Sequence, residues 1–466
     1  MPKEKKQVIQ YLPYLNTIKE KIKAGYERLV LMGGTRSGKS YQLAILMIQI
    51  AINPASVLSK KHIEQLEKEG RKGVFILIAR QKQVDMDTTV RRDIYKILSD
   101  MNLYPENTVE NELIKINKVK NFIEFKTSGS QIWFTGADRE GRGMGAAPDI
   151  CWFNEISEIR EEFYQQIYMR MRMFSLFDCN PKMGERHWAR TKLLVSESST
   201  PEDGGVYVHR STFRDNKFLP INQVKRYLSY EPTPENIAAG TADEYMWKVY
   251  GLGVFAVKEG LVFTEMKDWD YIEDDEFPKD CSWCWALDVG FKDQTAFGRV
   301  GIKEGCIYID EYIYESGLSV ATPVEAPGKD SLVKRLQAIG VKRGDVIVYD
   351  SASASTGDTL ITCGYNAIPC RKEGGGKTSI VPQIAEMKNY HIRTTRRSVG
   401  WIGEVAEYAW NKKEPDGKPI GTNGDHSIDM SRYGATYLIL SGGRSRKTQG
   451  GRTARRFAWG CEDKQF

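Results

Sequence analysis

Cysteine is scarce and scattered in this chain. Of eight, only Cys281 and Cys284 stand in C-x-x-C spacing, and no second pair completes a zinc site. Those two read either as a metal or redox pair or as ordinary buried thiols near a strand edge marked by Trp283 and Trp285. There is no run of eighteen uncharged apolar residues, which argues against a membrane-spanning helix. The start, Met1-Pro2-Lys3-Glu4-Lys5-Lys6, leads into polar and aromatic sequence instead of an apolar signal core, so the expected compartment is a cytoplasm. No internal repeat is visible. Net positive charge is also sparse until the end: from Arg444 onward seven basic residues face two acids, a net of +5 against +6 for the whole chain. That Gly/Ser/Arg-rich tail has too little apolar surface to fold alone, and serves either as a solubilising end or as a contact for nucleic acid or an acidic partner.

What is present suffices for two cores. At 466 residues the chain exceeds the size at which one core keeps growing, and its 41% hydrophobic content is ordinary for a soluble protein. Leu29–Met32 reads as a buried strand and Tyr41–Ile52 as a buried helix. Val74–Ile78 predicts a second strand, followed by a helix with Val90, Ile94, Ile97 and Leu98 on its apolar face. Residues 122–125 and 131–134 read as a hairpin turning at Lys126–Gly129. Ile150–Phe153 predicts another strand before a helix carrying Ile159, Phe163 and Ile167. Strands alternating with helices indicate an α/β domain with a mainly parallel sheet. A stretch rich in acids and lysine, 257–280, is the expected linker. Beyond it, Cys284–Leu287, Cys306–Ile309 and Val346–Tyr349 read as strands, with a helix through Leu332, Leu336 and Ile339 and two later helices.

Between the first strand and its helix lies Gly33-Gly34-Thr35-Arg36-Ser37-Gly38-Lys39-Ser40, a G-x-x-x-x-G-K-[ST] loop. Its backbone N–H groups are suited to cradle a triphosphate, Lys39 to neutralise the outer phosphates, and the Ser40 hydroxyl to meet Mg²⁺. ATP or GTP binding follows. Hydrolysis needs a carboxylate at a neighbouring strand end, and Ile150-Cys151-Trp152-Phe153-Asn154-Glu155 supplies one. Glu155 is the candidate base; its bland alternative is a helix cap. Asn154 stands where an aspartate that helps hold magnesium is usual, which points to weaker metal binding. Arg36 and Arg80 either stabilise the transferred phosphoryl group or form surface ion pairs. A polar side chain in Asp178-Cys179-Asn180-Pro181 either senses the γ-phosphate or only makes a turn.

Taken in order, the loop Gly33–Ser40, the strand ending Asn154-Glu155, the Asp178–Pro181 strand end and Thr212-Phe213-Arg214-Asp215-Asn216 with Leu219 resemble the ATPase half of tailed-bacteriophage large terminase subunits. The likeness runs over roughly residues 10 to 440. It implies a P-loop NTPase domain with a mainly parallel sheet (1–256, with a small lid or linker subdomain at about 205–256), the linker at 257–280, a ribonuclease H-like, resolvase-type α/β nuclease domain (281–440) and a basic flexible tail (441–466). It further implies a motor that spends ATP to pump double-stranded DNA, without sequence preference, through a portal protein into a procapsid. It implies too that the same chain cuts concatemeric DNA. A small terminase subunit is the implied partner, with a homo-oligomeric ring when docked, a monomer in solution, and no membrane. The implied location is the cytoplasm of the infected host, outside the mature virion. The resemblance makes Asn180 part of a motif coupling hydrolysis to movement and Arg36 a candidate arginine finger.

Three acids of the second domain suit a metal-dependent nuclease. Asp288 ends Ala286-Leu287-Asp288, Asp350 ends Val348-Tyr349-Asp350, and Asp429 lies on a helix with His426, Arg432 and Tyr433. Two-metal phosphodiester cleavage needs hard oxygen ligands converging on Mg²⁺, or on Mn²⁺ in its place. A single strand-end aspartate is more often a turn residue; three in the terminase order reverse that reading. Asp425 is an auxiliary ligand or an N-cap, Glu311 a weaker ligand candidate, and His426 a proton-transfer or structural residue. The basic loop Arg371–Ser379 fits DNA backbone contacts or a plain hairpin. Two other readings remain: a P-loop helicase or translocase without nuclease activity, and a non-catalytic nucleotide-binding assembly factor.

Overall fold

Runs such as Leu29–Met32 and Ile150–Phe153 leave no side for solvent, and each is buried on both faces of a sheet. The computed structural model describes residues 9–103, 110–137, 145, 147–202, 205–290, 293–321, 330–370, 380–411, 418–421 and 424–441. The basic loop 371–379 and the tail beyond 441 lie outside the described residues. The chain divides into two units, Met1–Tyr271 with Arg396–Ile428, and Ile272–Thr395 with Asp429–Phe466. The first division thus falls inside the stretch expected as linker, whereas 396–428, expected in the second domain, packs with the first unit.

In the first unit the strands are β1 (Arg28–Gly33), β2 (Phe75–Arg80), β3 (Ile114–Asn117), β4 (Phe122–Phe125), β5 (Ser130–Gly136), β6 (Ile150–Asn154), β7 (Phe174–Cys179) and β8 (Val206–Ser211). They form one sheet in the order β3-β4-β5-β2-β6-β7-β1-β8. The run from β5 to β8 is parallel, and β3 and β4 extend it as antiparallel strands. This is the P-loop NTPase arrangement expected. Leu29 and Leu31 pack into the core on one face, with Leu43, Leu46, Ile94 and Trp152; Val30 and Met32 pack into the other, with Phe153, Phe177 and Trp188. The helix Lys39–Ile52 buries ten of its fourteen residues, which explains its nearly unbroken apolar sequence. Residues 205–256, expected as a lid, begin with β8, an edge strand of the main sheet paired to β1.

The second unit holds β10 (Ser282–Asp288), β11 (Gln294–Lys303), β12 (Cys306–Ser316), β13 (Val346–Tyr349), β14 (Asn366–Pro369) and β15 (His391–Thr395); a short strand β9 (Trp269–Ile272) precedes them. β10, β11 and β12 form an antiparallel meander, and β13 and β14 join β10 in parallel, giving the order β14-β13-β10-β11-β12 of a ribonuclease H-like sheet. β15 pairs in parallel with the far side of β12. The helix His426–Leu440 crosses this sheet at Gly434, where an added Cβ would fall 2.7 Å from Val300 and 3.1 Å from Ala286. Cys281 and Cys284 are free buried thiols that donate to different carbonyls, of Pro278 and Gly434. Among the described residues no helix is long and apolar enough to cross a membrane.

Candidate active sites

The glycine loop leaves β1 at the centre of the parallel sheet, with β7 beside it and β6 one strand further. Its back is pinned by two amides: Gly34 donates to the Ser211 carbonyl at 2.9 Å and Thr35 to the Tyr250 carbonyl at 2.8 Å. A side chain at Gly34 would sit 2.4 Å from the Gly251 carbonyl, so only glycine allows this approach. Gly38, at φ 92°, turns the chain into the helix. Arg36 is exposed and left-handed at φ 64°, and its carbonyl accepts from Asn216 Nδ2 at 2.8 Å. The Lys39 ammonium donates to the carbonyls of Gly33 (2.9 Å) and Gly34 (2.8 Å) and to Asn180 Oδ1 (3.0 Å). Asn180 in turn donates to Thr35 Oγ1 at 3.2 Å, tying the β7 end to the loop. Burial lowers the Lys39 pKa, against the opposing pull of Glu155 and Asp178.

Asp178, which sequence reasoning quoted without a role, is the hub. Its carboxylate, 1% exposed, accepts from Ser40 Oγ, from Trp152 Nε1 at 3.1 Å, from Asn154 Nδ2 at 3.0 Å to each oxygen, and from the Glu155 amide at 3.1 Å. The signal was an acid ending a fully buried strand; its partners became visible only once β6 and β7 paired with Asn154 opposite Asp178. Arg80 is not aimed at the loop: it donates to Asn154 Oδ1 at 2.8 Å and Thr89 Oγ1 at 3.1 Å.

Glu155 follows β6 in the left-handed region, φ 54° and ψ 62°, and its Oε2 is buried without a hydrogen-bond partner. Burial, then the charge of Asp178, holds its carboxyl above the ordinary carboxylate value, while Lys182 and Lys39 pull the other way. Lys182, a second residue missed in the sequence, lies 3.1 Å from Glu158 Oε1. Burial disfavours its charge, yet Glu158 and Glu155 outweigh this and raise its pKa. Glu158 is likewise disfavoured by burial, but Lys182 and Arg80 hold its pKa below the ordinary value. A carboxyl with a raised pKa thus stands beside an ion pair whose charges favour each other.

In the second unit, β10 and β13 run parallel with Leu287 opposite Tyr349, so Asp288 and Asp350 follow at equivalent positions on adjacent strand ends. Asp429 accepts from Arg432 Nη2 at 2.7 Å and Tyr433 Oη at 3.3 Å, its neighbours three and four residues on along the same helical face. Burial and then the charges of Asp429, Asp288 and Asp350 raise the Tyr433 pKa, so all three acids act on one phenol. Asp350 Oδ1 also accepts from the Ala352 amide at 3.0 Å, the turn role weighed against it. Carboxylate oxygens suit a hard divalent cation. Among the described residues, however, no three His, Cys, Asp or Glu side chains are spaced to hold a metal ion, so the expected cluster is gathered but not closed. Glu311 is buried on β12 opposite Gly298, Asp425 precedes the helix, and His426 is its first residue.

Residues 27–251 match the family model described as phage terminase large subunit. The PBSX phage terminase large subunit of Bacillus subtilis (strain 168) is 28% identical over 134 residues, 24% of this chain. The match spans 31% of that protein, about a third of the length of the curated relative. Among solved structures, the large terminase of a thermophilic bacteriophage gives a TM-score of 0.44 at 16% identity, covering 92% of this chain and 99% of that one. The large terminase nuclease domain of bacteriophage SPP1, solved with bound Mn, gives 0.30 at 16% identity, covering 38% of this chain and 97% of that domain.

Proposed function

We propose, from the match of residues 27–251 to the family model described as phage terminase large subunit, that the chain hydrolyses ATP to drive double-stranded DNA into a procapsid and cuts the DNA with its second unit. The observation that carries the ATPase reading is the Glu155 carboxylate, with one oxygen buried and its pKa held above the ordinary value, at the end of β6, which β7 separates from the strand that ends in the glycine loop. A carboxyl so placed is strengthened as a base toward water. The loop amides and Lys39 bind the phosphates. Lys39 donates to the carbonyls of Gly33 and Gly34, to Asn180 Oδ1 and, at 3.4 Å, to Ser37 Oγ, so a phosphate oxygen that takes a donor would compete with the side-chain partners, Asn180 among them. That exchange would report nucleotide occupancy to the end of β7. Magnesium, when bound with the nucleotide, would neutralise phosphate charge. The fit lies in Ser40, whose hydroxyl proton goes to Asp178 and leaves its lone pairs for a cation. Arg36, exposed on the loop, is suited to act as a finger toward its own or a neighbouring subunit's nucleotide.

For the second activity, Asp288, Asp350 and Asp429 would hold Mg²⁺ or Mn²⁺, with Arg432 and Tyr433 orienting Asp429. DNA is engaged by its phosphates without sequence readout. A portal protein, a small terminase subunit and a ring of copies on the capsid, a monomer when free, and work in the host cytoplasm outside the virion belong to this same reading. Two measurements on the full chain test it. Glu155→Gln should lower ATP turnover by about 10²- to 10⁴-fold with nucleotide still bound; unchanged turnover refutes the base. Asp288→Ala should abolish plasmid nicking in Mn²⁺ while leaving ATP turnover intact; a wild-type chain that turns over ATP but never nicks is a translocase only.

A further inference from the structure

At sites of this class the cation is held by the loop Ser or Thr together with an acid at the end of another strand of the same sheet, one strand removed from the loop strand. Here that strand, β6, ends in Asn154, which carries no charge, yet the site is not neutral. One strand across and directly opposite in register stands Asp178, as buried as Asn154. Its Oδ2 accepts the Ser40 hydroxyl, the same hydroxyl that the cation would meet. Asn154 is locked between partners that admit one orientation. Arg80 can only donate and takes Oδ1; the Asp178 carboxylate can only accept and takes both contacts from Nδ2.

We infer that the acid has moved from β6 to β7: Asp178 supplies the negative charge that fixes the nucleotide's divalent cation at Ser40, and Asn154 is the positioning residue that relays Arg80 to it. The geometry says why both positions are not acidic. A carboxylate at 154 would place an oxygen about where Nδ2 now lies, 3.0 Å from both oxygens of Asp178, and two carboxylates at that range do not both ionise. One charge is needed, and it sits on the strand beside the loop. Asn154 is therefore no sign of a decayed site. Asp178 acts through Ser40, orienting its hydroxyl so that the proton points inward and the lone pairs face the cation, and it also accepts the Glu155 amide, steadying the left-handed turn that presents the base.

This inference rests on the ATP reading, and the test separates the two. Binding of a fluorescent ATP analogue to the full chain is measured in EDTA and across a Mg²⁺ titration. Wild type should bind more tightly with Mg²⁺. Asp178→Asn keeps the shape and removes the charge; the gain in affinity that Mg²⁺ gives over EDTA should fall roughly 10- to 100-fold relative to wild type, the scale seen when a residue that orients a metal ligand is changed. Asn154→Asp alone should also weaken Mg²⁺, and the exchange Asn154→Asp with Asp178→Asn should recover most of the loss by returning one acid to the pair. Asp178→Asn with wild-type Mg²⁺ affinity overturns the inference, as does a double exchange no better than Asp178→Asn. Wild type that binds no nucleotide at all overturns the ATP reading itself, and this inference with it.

Discussion

Glu155 bears two penalties at one residue, a left-handed backbone and a buried carboxylate with one oxygen unpaired. Such strain persists only where the surroundings enforce it, here through the bond from its amide to Asp178. The sign of the pH effect follows from the raised pKa. Below it Glu155 is protonated and cannot accept a proton, so ATP turnover should fall as pH drops through a value above the ordinary 4.5. A pH–rate profile whose acid limb lies at or below 4.5 would remove Glu155 as the base. Stability runs the other way. A raised pKa in the fold gives a contribution present below the unfolded value and lost as pH rises through the folded one. Glu155→Gln should therefore raise the thermal midpoint at about pH 8 and leave it nearly unchanged near about pH 4; equal midpoints under the alkaline condition would deny the burial cost. Glu155, Lys39 and Ser40 were legible as residues because their spacing is set by local geometry. Asp178 and Lys182 were not, because their roles come from strand pairing and a turn that bring distant charges together.

The elements that announced themselves are those buried on both faces, whose apolar runs tolerate no alternative. β8 and β11 did not, since Val206–Ser211 is an edge strand with His209 and Arg210, and Gln294–Lys303 mixes glycine, arginine and lysine. Their pairing is supplied by neighbours, and no sequence window contains those. The start of β6 shows how much depends on one buried group. Asp149, fully buried, accepts from the Phe75 amide at 2.7 Å, from Arg172 Nε at 2.8 Å and from Arg71, clamping β2 to β6. Asp149→Ala should cost on the order of 3 kcal/mol in chemical denaturation, since it strands two guanidinium groups and an amide. A loss under about 1 kcal/mol, the range of an exposed pair, would show that water replaces the clamp. At the helix His426–Leu440, the buried Glu404 accepts the Ser427 and Ile428 amides at 2.8 and 3.0 Å. Glu404→Ala should destabilise by about 1–3 kcal/mol through those orphaned donors. It should also weaken plasmid nicking by disordering the turn before Asp429; unaltered stability would mean that solvent caps the helix equally well.

Across the whole chain, the two-unit division was legible from length and from the restart of the strand pattern, but its second boundary was not. Residues 396–428 return to the first unit before Asp429 joins the second, so a fragment of 281–440 would carry a segment cut from its packing partners. Full-length protein is the right material for nuclease assays. The charge excess of +6 lies nearly all after residue 443. If that tail touches phosphates, truncation after Ser441 should flatten the dependence of DNA affinity on salt, by up to about five counterions released; an unchanged slope assigns the tail to solubility alone. The pairing of Asn154 with Asp178 reaches beyond this molecule. When one charge is shared between two positions, neither changes safely alone, because the single-step intermediates carry either two acids or none. Lineages should cross between the arrangements rarely and in paired substitutions, and a survey that searches for acids along one strand would pass over a site built this way.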